Sequence, residues 1–178
     1  MKPEEGWAVW ITGLPSSGKS MIARALKKAL EHHNMPVEVL ESDEVRKVVT
    51  PNPTYTEEER DTFYRLLAYV GELLVRNGVN VIFDATANKR MYREEARNLI
   101  AKFLEVYVKC PLDVCVRRDA KGIYARALKG EAKSVPGLQT FYEEPLKPEV
   151  TLDSVSESPE EGAQRIMDAL KSHAFLKR

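Results

Sequence analysis

The sequence predicts an α/β fold of three layers, with a central, mostly parallel sheet between two layers of helices and a helical lid at one end. Three observations lead there. Apolar runs of strand length alternate with stretches of helical period, a glycine-containing turn joins the first strand run to the first helical one, and carboxylates follow strand ends at Asp43 and Asp84. Such alternation reads as βαβ units, whose crossover helices cover both faces of a parallel sheet. The chain has 178 residues, enough for one domain with a sizeable core, expected to span 1–178, and no repeats or low-complexity tracts interrupt it.

The first strand is expected over 7–12, Trp-Ala-Val-Trp-Ile-Thr, and Gly13-Leu14-Pro15-Ser16-Ser17-Gly18-Lys19-Ser20 follows it. This G-x-x-x-x-G-K-S spacing is that of a phosphate-binding loop. Its glycines let the backbone bend until N–H groups point at phosphate oxygens, Lys19 reaches the β and γ phosphates, and Ser20 offers its hydroxyl to Mg²⁺. Residues 21–30 carry apolar side chains at helical spacing, so a helix N-terminus adds its partial positive charge. A nucleoside triphosphate site is therefore expected on Gly13, Pro15, Ser16, Ser17, Gly18, Lys19, Ser20 and Met21.

Asn34-Met35-Pro36 stops that helix, and 37–40 reads as a second strand ending in Glu41-Ser42-Asp43-Glu44-Val45-Arg46. In an open α/β sheet the carboxyl ends of the strands face the ligand crevice, which puts Asp43 on the rim of the phosphate loop. Residues 50–54, with two prolines, read as a loop, and Thr56-Glu57-Glu58-Glu59 as a capping box opening a helix with Phe63, Leu66, Leu67, Val70, Leu73 and Leu74 on one face. Arg60 and Arg65 on its first turns read, from the residues alone, as a solvated face. Asn77-Gly78 closes this helix. A third strand is expected over 79–83 before Asp84-Ala85-Thr86-Ala87-Asn88, then a helix over 91–102 and a fourth strand over 104–108. A helix from Pro111 runs into Arg117-Arg118-Asp119, and the charged, glycine-containing stretch beyond it fits either a mobile lid, about 118–144, or an ordinary charged helical pair. A short last strand over 150–152 precedes Ser158-Pro159-Glu160-Glu161, which caps a final helix through Leu170.

The chain has 27 Lys and Arg against 27 Asp and Glu. That balance argues against a general polyanion binder, so no nucleic-acid partner is expected. The first residues lack an apolar leader segment and no run approaches a membrane span, which predicts a cytoplasmic protein. Cys110 and Cys115, the only cysteines, read as buried reduced thiols, and His32-His33 as a solvated helix end.

Several segments together resemble the adenylylsulfate kinase family. The order and spacing of Val106-Tyr107-Val108-Lys109-Cys110-Pro111-Leu112-Asp113-Val114-Cys115, Arg118-Asp119, Lys121-Gly122-Ile123-Tyr124, Gly130-Glu131 and Tyr142-Glu143-Glu144-Pro145 follow that family's pattern. Leu40-Glu41-Ser42-Asp43-Glu44-Val45-Arg46 resembles its L-D-G-D-N-V-R, and Tyr55-Thr56-Glu57-Glu58-Glu59-Arg60 its F-S-x-x-D-R. The resemblance implies a P-loop kinase fold and ATP-dependent phosphorylation of the 3′-hydroxyl of adenosine 5′-phosphosulfate, with Mg²⁺ as cofactor and a homodimer as the assembly. It implies that Lys19 and Asp43 are catalytic, that Asp43 assists the substrate hydroxyl, and that Arg118 joins the ATP site. Arg46 and Arg60 would hold the phosphosulfate, Tyr55 would stack on its adenine, and Lys121 would arrive with the lid; Phe63, Asp84 and Val135 complete the acceptor set. The chain departs from the family where Val135 replaces an aromatic in Lys133-Ser134-Val135-Pro136-Gly137, where Phe63 replaces an asparagine and where Leu66 replaces an arginine. Asp84-Ala85-Thr86-Ala87-Asn88 is closer to other small P-loop kinases, so a kinase of the same fold with another small hydroxylated acceptor is the alternative. A GTP-dependent switch is disfavoured, because Asn88-Lys89-Arg90-Met91 lacks the aspartate of an N-K-x-D guanine reader.

Overall fold

The computed structural model describes residues 4–176. Five parallel strands form the sheet in the order β2-β3-β1-β4-β5: β1 (Ala8–Thr12), β2 (Val37–Glu41), β3 (Asn80–Asp84), β4 (Phe103–Lys109) and β5 (Val150–Asp153). β1 is central, paired with β3 on one side and β4 on the other. All five of its residues are buried, as a parallel strand covered on both faces requires. Its side chains alternate between two cores. Val9 and Ile11 pack with α1 (Lys19–His32) and α7 (Pro159–Ser172), while Ala8 and Trp10 pack with α3 (Glu57–Arg76) and α4 (Arg90–Leu99). Trp10 stacks on Phe83 at 4.5 Å between ring centroids and donates its indole N–H to the Ala85 carbonyl, so the aromatic core reaches the end of β3.

Several elements differ from their expected form. Residues 42–49 form a helix, α2 (Ser42–Val49), where the sequence predicts only the polar end of the second strand. The helix is two turns long, has no side-chain cap, and exposes Val48 and Val49, so its apolar pattern carries no inward stripe. α4 runs from Arg90 to Leu99 rather than over 91–102. In α3 the inward face is Phe63, Tyr64, Leu67, Ala68, Gly71 and Val75, with Leu66, Val70, Leu73 and Leu74 only half-buried. Small residues turn inward because the helix lies against Phe83, and a Cβ on Gly71 would sit 2.0 Å from its Cζ. The cap of α3 is half of a capping box. Thr56 Oγ1 accepts from the Glu59 N–H, but the Glu59 carboxylate turns to Thr54, Tyr55 and Arg46 instead of the Thr56 N–H. Ser158 and Glu161 make the complete, reciprocal version.

The stretch after β4 contains α5 (Leu112–Arg118) and α6 (Ile123–Leu128), and then residues 129–149 cross the carboxyl-end rim of the sheet. Arg93, almost wholly buried, carries much of that crossing. It donates to Glu105, to the Ala87 and Lys89 carbonyls before α4, and to the Glu143 carbonyl at 2.7 Å. Tyr142 donates to Thr12 Oγ1, whose own hydroxyl donates to the Thr86 carbonyl. No helix of the described residues is long and apolar enough to cross a membrane.

Glycine-to-alanine changes inside helices ordinarily stabilise by up to about 1 kcal/mol. For Gly71→Ala the sign should reverse, with a loss of about 1–3 kcal/mol from overpacking against Phe83. The urea midpoint of the variant against the parent measures it, and a gain in stability would mean that α3 yields freely at Phe83.

Candidate active site

The ends of β1, β2 and β3 build the site. β1 delivers the loop 13–18, after which α1 begins at Lys19. Gly13 (φ +156°) passes so close to β4 that a Cβ there would lie 2.6 Å from the Val108 carbonyl oxygen, and Gly18 takes φ +107°, where an L side chain is strained. The turn closes with Ser17 N–H donating to the Leu14 carbonyl. Lys19 is buried, and its ammonium donates to the same carbonyl at 2.8 Å. Burial pushes its pKa down, while Asp84 and Asp43 pull it back up. Ser17 Oγ is the one buried side-chain polar atom among the described residues without a hydrogen-bond partner. It lies at the floor of a loop whose glycines keep the backbone free of side chains, a cradle suited to an anion of phosphate size.

Across the rim, Asp43 is on the first turn of α2 and Asp84 is the last residue of β3, buried. Lys121, between α5 and α6, joins Asp43 at 2.5 Å and Glu41 at 3.4 Å. Partial burial works against the Lys121 charge, but the Asp43 and Glu41 contacts outweigh it and hold its pKa above the usual lysine value. Arg118 lies on the other flank of the loop, donating to the Ser17 carbonyl and to Ser154. Below it, the buried Tyr124 hydroxyl donates to the Pro15 carbonyl.

A second group lies at α2 and the start of α3. Arg46 is buried, with its guanidinium 3.7 Å from the Phe63 ring centroid and 5.1 Å from that of Tyr55. Arg60 is not on a solvated face: it is buried and donates to the Tyr55 carbonyl, Asn88 Oδ1 and the Ser134 carbonyl. Arg65 is the solvated one, with Glu95 at 3.6 Å. Tyr55 is 41 % exposed, whereas Phe63 is 1 % exposed beneath Arg46. Phe63 therefore backs a guanidinium and presents no ring to a ligand. Val135, expected in the acceptor set, offers little surface to a ligand. At 4 % exposure it packs from the crossing segment onto Cys110, Cys115, Tyr124 and Ala127 in a small apolar cluster.

The model for adenylylsulphate kinase matches residues 5–153. The chain belongs to the adenylylsulphate kinase family. It is similar to a probable adenylyl-sulfate kinase of Pyrococcus abyssi, 39% identical over 97% of this chain and 99% of that protein. A probable adenylyl-sulfate kinase of Archaeoglobus fulgidus is 44% identical over 83% of this chain and 96% of that one. Among solved structures, the Mycobacterium tuberculosis APS kinase in complex with AMPPNP and APS superposes with a TM-score of 0.90, at 33% identity, covering 95% of this chain and 99% of that one.

Within this kinase fold, three further residues hold the rim together. From the sequence Glu59 reads as a helix cap and Asn88 as part of a motif, and Arg93 carries no signal. Asn88 accepts from Arg60 and donates to the Phe141 carbonyl, which ties the end of β3 to the crossing segment. The sequence signal for Glu59 was its place one residue before Arg60 in a family motif. For Arg93 there was none, since an arginine on a strongly charged helix reads as solvated. Cys110 and Cys115 are free and buried, as expected. Burial is the main reason the Cys115 thiol is pushed up to about 12.

Native protein at pH 8 should therefore leave Cys115 unmodified by iodoacetamide, since the thiolate is the nucleophile, and label it fully once unfolded. Tyr124→Phe removes only the hydroxyl that holds Pro15 and should cost about 1 kcal/mol of stability. Mass spectrometry of the alkylated protein and a denaturation curve read these outcomes. Rapid native labelling of Cys115 would contradict the packing.

Proposed function

We propose that the chain transfers the γ-phosphoryl group of ATP to the 3′-hydroxyl of adenosine 5′-phosphosulfate, the reaction of its family. One observation carries the assignment of residues: a glycine-built phosphate cradle with a buried lysine stands on the same rim as the buried Arg46, backed by the Phe63 ring, and the Asp43–Lys121 ion pair.

In this reading the backbone N–H groups of 13–20 and the Ser17 hydroxyl hold the β and γ phosphates, with Lys19 bridging them and Arg118 beside the nucleotide. Phosphoryl transfer depends mainly on in-line placement and on neutralising charge at the equatorial oxygens. Asp43 orients the acceptor hydroxyl and takes its proton as the new O–P bond forms and the bond from the γ phosphorus to ADP breaks. Arg46 faces the anionic end of the acceptor, with Arg60 fixing the Tyr55 backbone beside it, and Tyr55 faces the base, while Lys121 pairs with Asp43 at 2.5 Å. Mg²⁺ fits as an ion carried by the nucleotide. No group of three acidic, histidine or cysteine side chains among the described residues could hold a metal alone, and Mg²⁺ ordinarily takes one or two protein ligands plus phosphates. Ser20 would hold it, with Glu41 or Asp43 through water, and it would offset phosphate charge. A homodimer is the assembly that the family resemblance implies, and the molar mass in solution decides it.

Incubation with ATP and adenosine 5′-phosphosulfate should give a product with a new 3′-phosphate, while serine, gluconate and nucleosides are not consumed. Turnover with one of those and none with the phosphosulfate would reject the assignment. Lys19→Ala should lower kcat/KM by about 10²–10³-fold, the scale of a lost electrostatic group at a transferring centre. The fold should persist, because the Leu14 carbonyl keeps the Ser17 N–H as a donor, although the buried Asp84 loses its nearby ammonium. Near-normal turnover in that variant would remove Lys19 from the site.

A further inference from the structure

Arg46 is held from behind by one carboxylate. Glu59 Oε1 accepts from Arg46 Nη1 at 3.0 Å and from the Tyr55 N–H at 3.3 Å, while Oε2 accepts from the Thr54 N–H and the Thr54 hydroxyl, both at 2.6 Å. A single side chain on the first turn of α3 thereby ties together α2, the proline-containing loop 50–55 and its own helix. The arrangement also sustains an unusual backbone: Tyr55 takes φ 56°, a region costly for a bulky residue unless its surroundings over-determine it. Glu59 on its amide and Arg60 Nε on its carbonyl hold both sides of that residue.

The guanidinium so held is asymmetric. Nη1 is engaged by Glu59, the flat face rests on the Phe63 ring, and neither Nε nor Nη2 has a protein acceptor among the described residues. Arg60, by contrast, spends Nε, Nη1 and Nη2 on protein oxygens. Of the two, Arg46 is the one with an open Nε/Nη2 edge, the edge that pairs with two oxygens of a phosphate or sulfate. Thr54, Tyr55 and Arg46 outweigh the effect of partial burial and hold the Glu59 carboxyl below its usual range.

We propose that Glu59 is a positioning residue of the acceptor subsite: by fixing Nη1 of Arg46, with Phe63 as the backing plate, it presents the Nε/Nη2 edge to an oxyanion of the acceptor. The proposal rests on the acceptor reading given above. Phe63, at the position where the family usually has asparagine, then acts as the support of this chain's anion-binding arginine.

Glu59→Gln keeps the shape and removes the charge that orients Arg46. The Kd and KM for adenosine 5′-phosphosulfate should each rise about tenfold, the scale of one lost charge-assisted bond, with kcat and the KM for ATP changed less than twofold. In an Arg46→Ala background the same change should add less than a further twofold, because its effect runs through Arg46. Titration calorimetry of the phosphosulfate with parent, single and double variants reads the binding arm. Equal affinity of parent and Glu59→Gln, full multiplication of the two single effects, or a parallel fall of kcat and of both KM values with lost thermal stability would overturn the proposal. A parent protein that does not bind the phosphosulfate would instead overturn the acceptor reading, and the proposal with it.

Discussion

A buried ammonium governs this rim. Lys19 follows the last glycine of the loop, on the first turn of a helix packed against the sheet, and little water reaches it. Taking such a charge out of water is costly unless acceptors and opposite charges surround it. The Leu14 carbonyl supplies the acceptor, and Asp43 and Asp84 supply the charges from the ends of two other strands. Parallel strand order makes this possible. Because β3 lies beside β1 and β2 beside β3, the carboxyl ends of all three strands open at one edge, next to the point where the connections reverse direction, β1 leading to β2 on one side and β3 leading across β1 to β4 on the other.

The arginines divide by what their nitrogens do. Arg93 and Arg60 spend their donors on protein oxygens, mostly backbone carbonyls of irregular segments. They satisfy polar groups that neither helix nor sheet could satisfy, and they hold residues 129–149 across the rim. Arg46 keeps donors open over an aromatic ring. Burial alone does not separate these roles, since all three guanidiniums are buried; the accounting of individual N–H groups does.

Much of the architecture was legible along the chain because it rests on local patterns. The strand runs, the G-x-x-x-x-G-K-S spacing and the Ser158 to Glu161 cap each specify their geometry within a few residues, and the structure has them where the pattern lies. What failed to read through had no local signature. α2 lacks a cap and an inward stripe, and its place comes from Arg46 reaching Glu59 and Phe63 across to α3. The face of α3 was misread because Gly71 and Ala68 face inward for want of room beside Phe83, a constraint imposed by a strand that follows in sequence.

By itself the sequence determined the sheet's parallel character, the phosphate loop and its lysine, the candidate carboxylates at strand ends and the family. These follow from period, spacing and motif, which are properties of neighbouring residues. Only the tertiary structure decided which of the conspicuous side chains stand open. It turned Arg60 from a surface charge into a tie for backbone carbonyls, put Phe63 beneath a guanidinium, and buried Val135 against Cys115 and Tyr124. The reason is physical: exposure and hydrogen-bond occupancy depend on atoms far apart in the chain. Arg60 meets Ser134, and Thr12 meets Tyr142, across 74 and 130 residues of chain, where the crossing segment lies on the rim of the sheet.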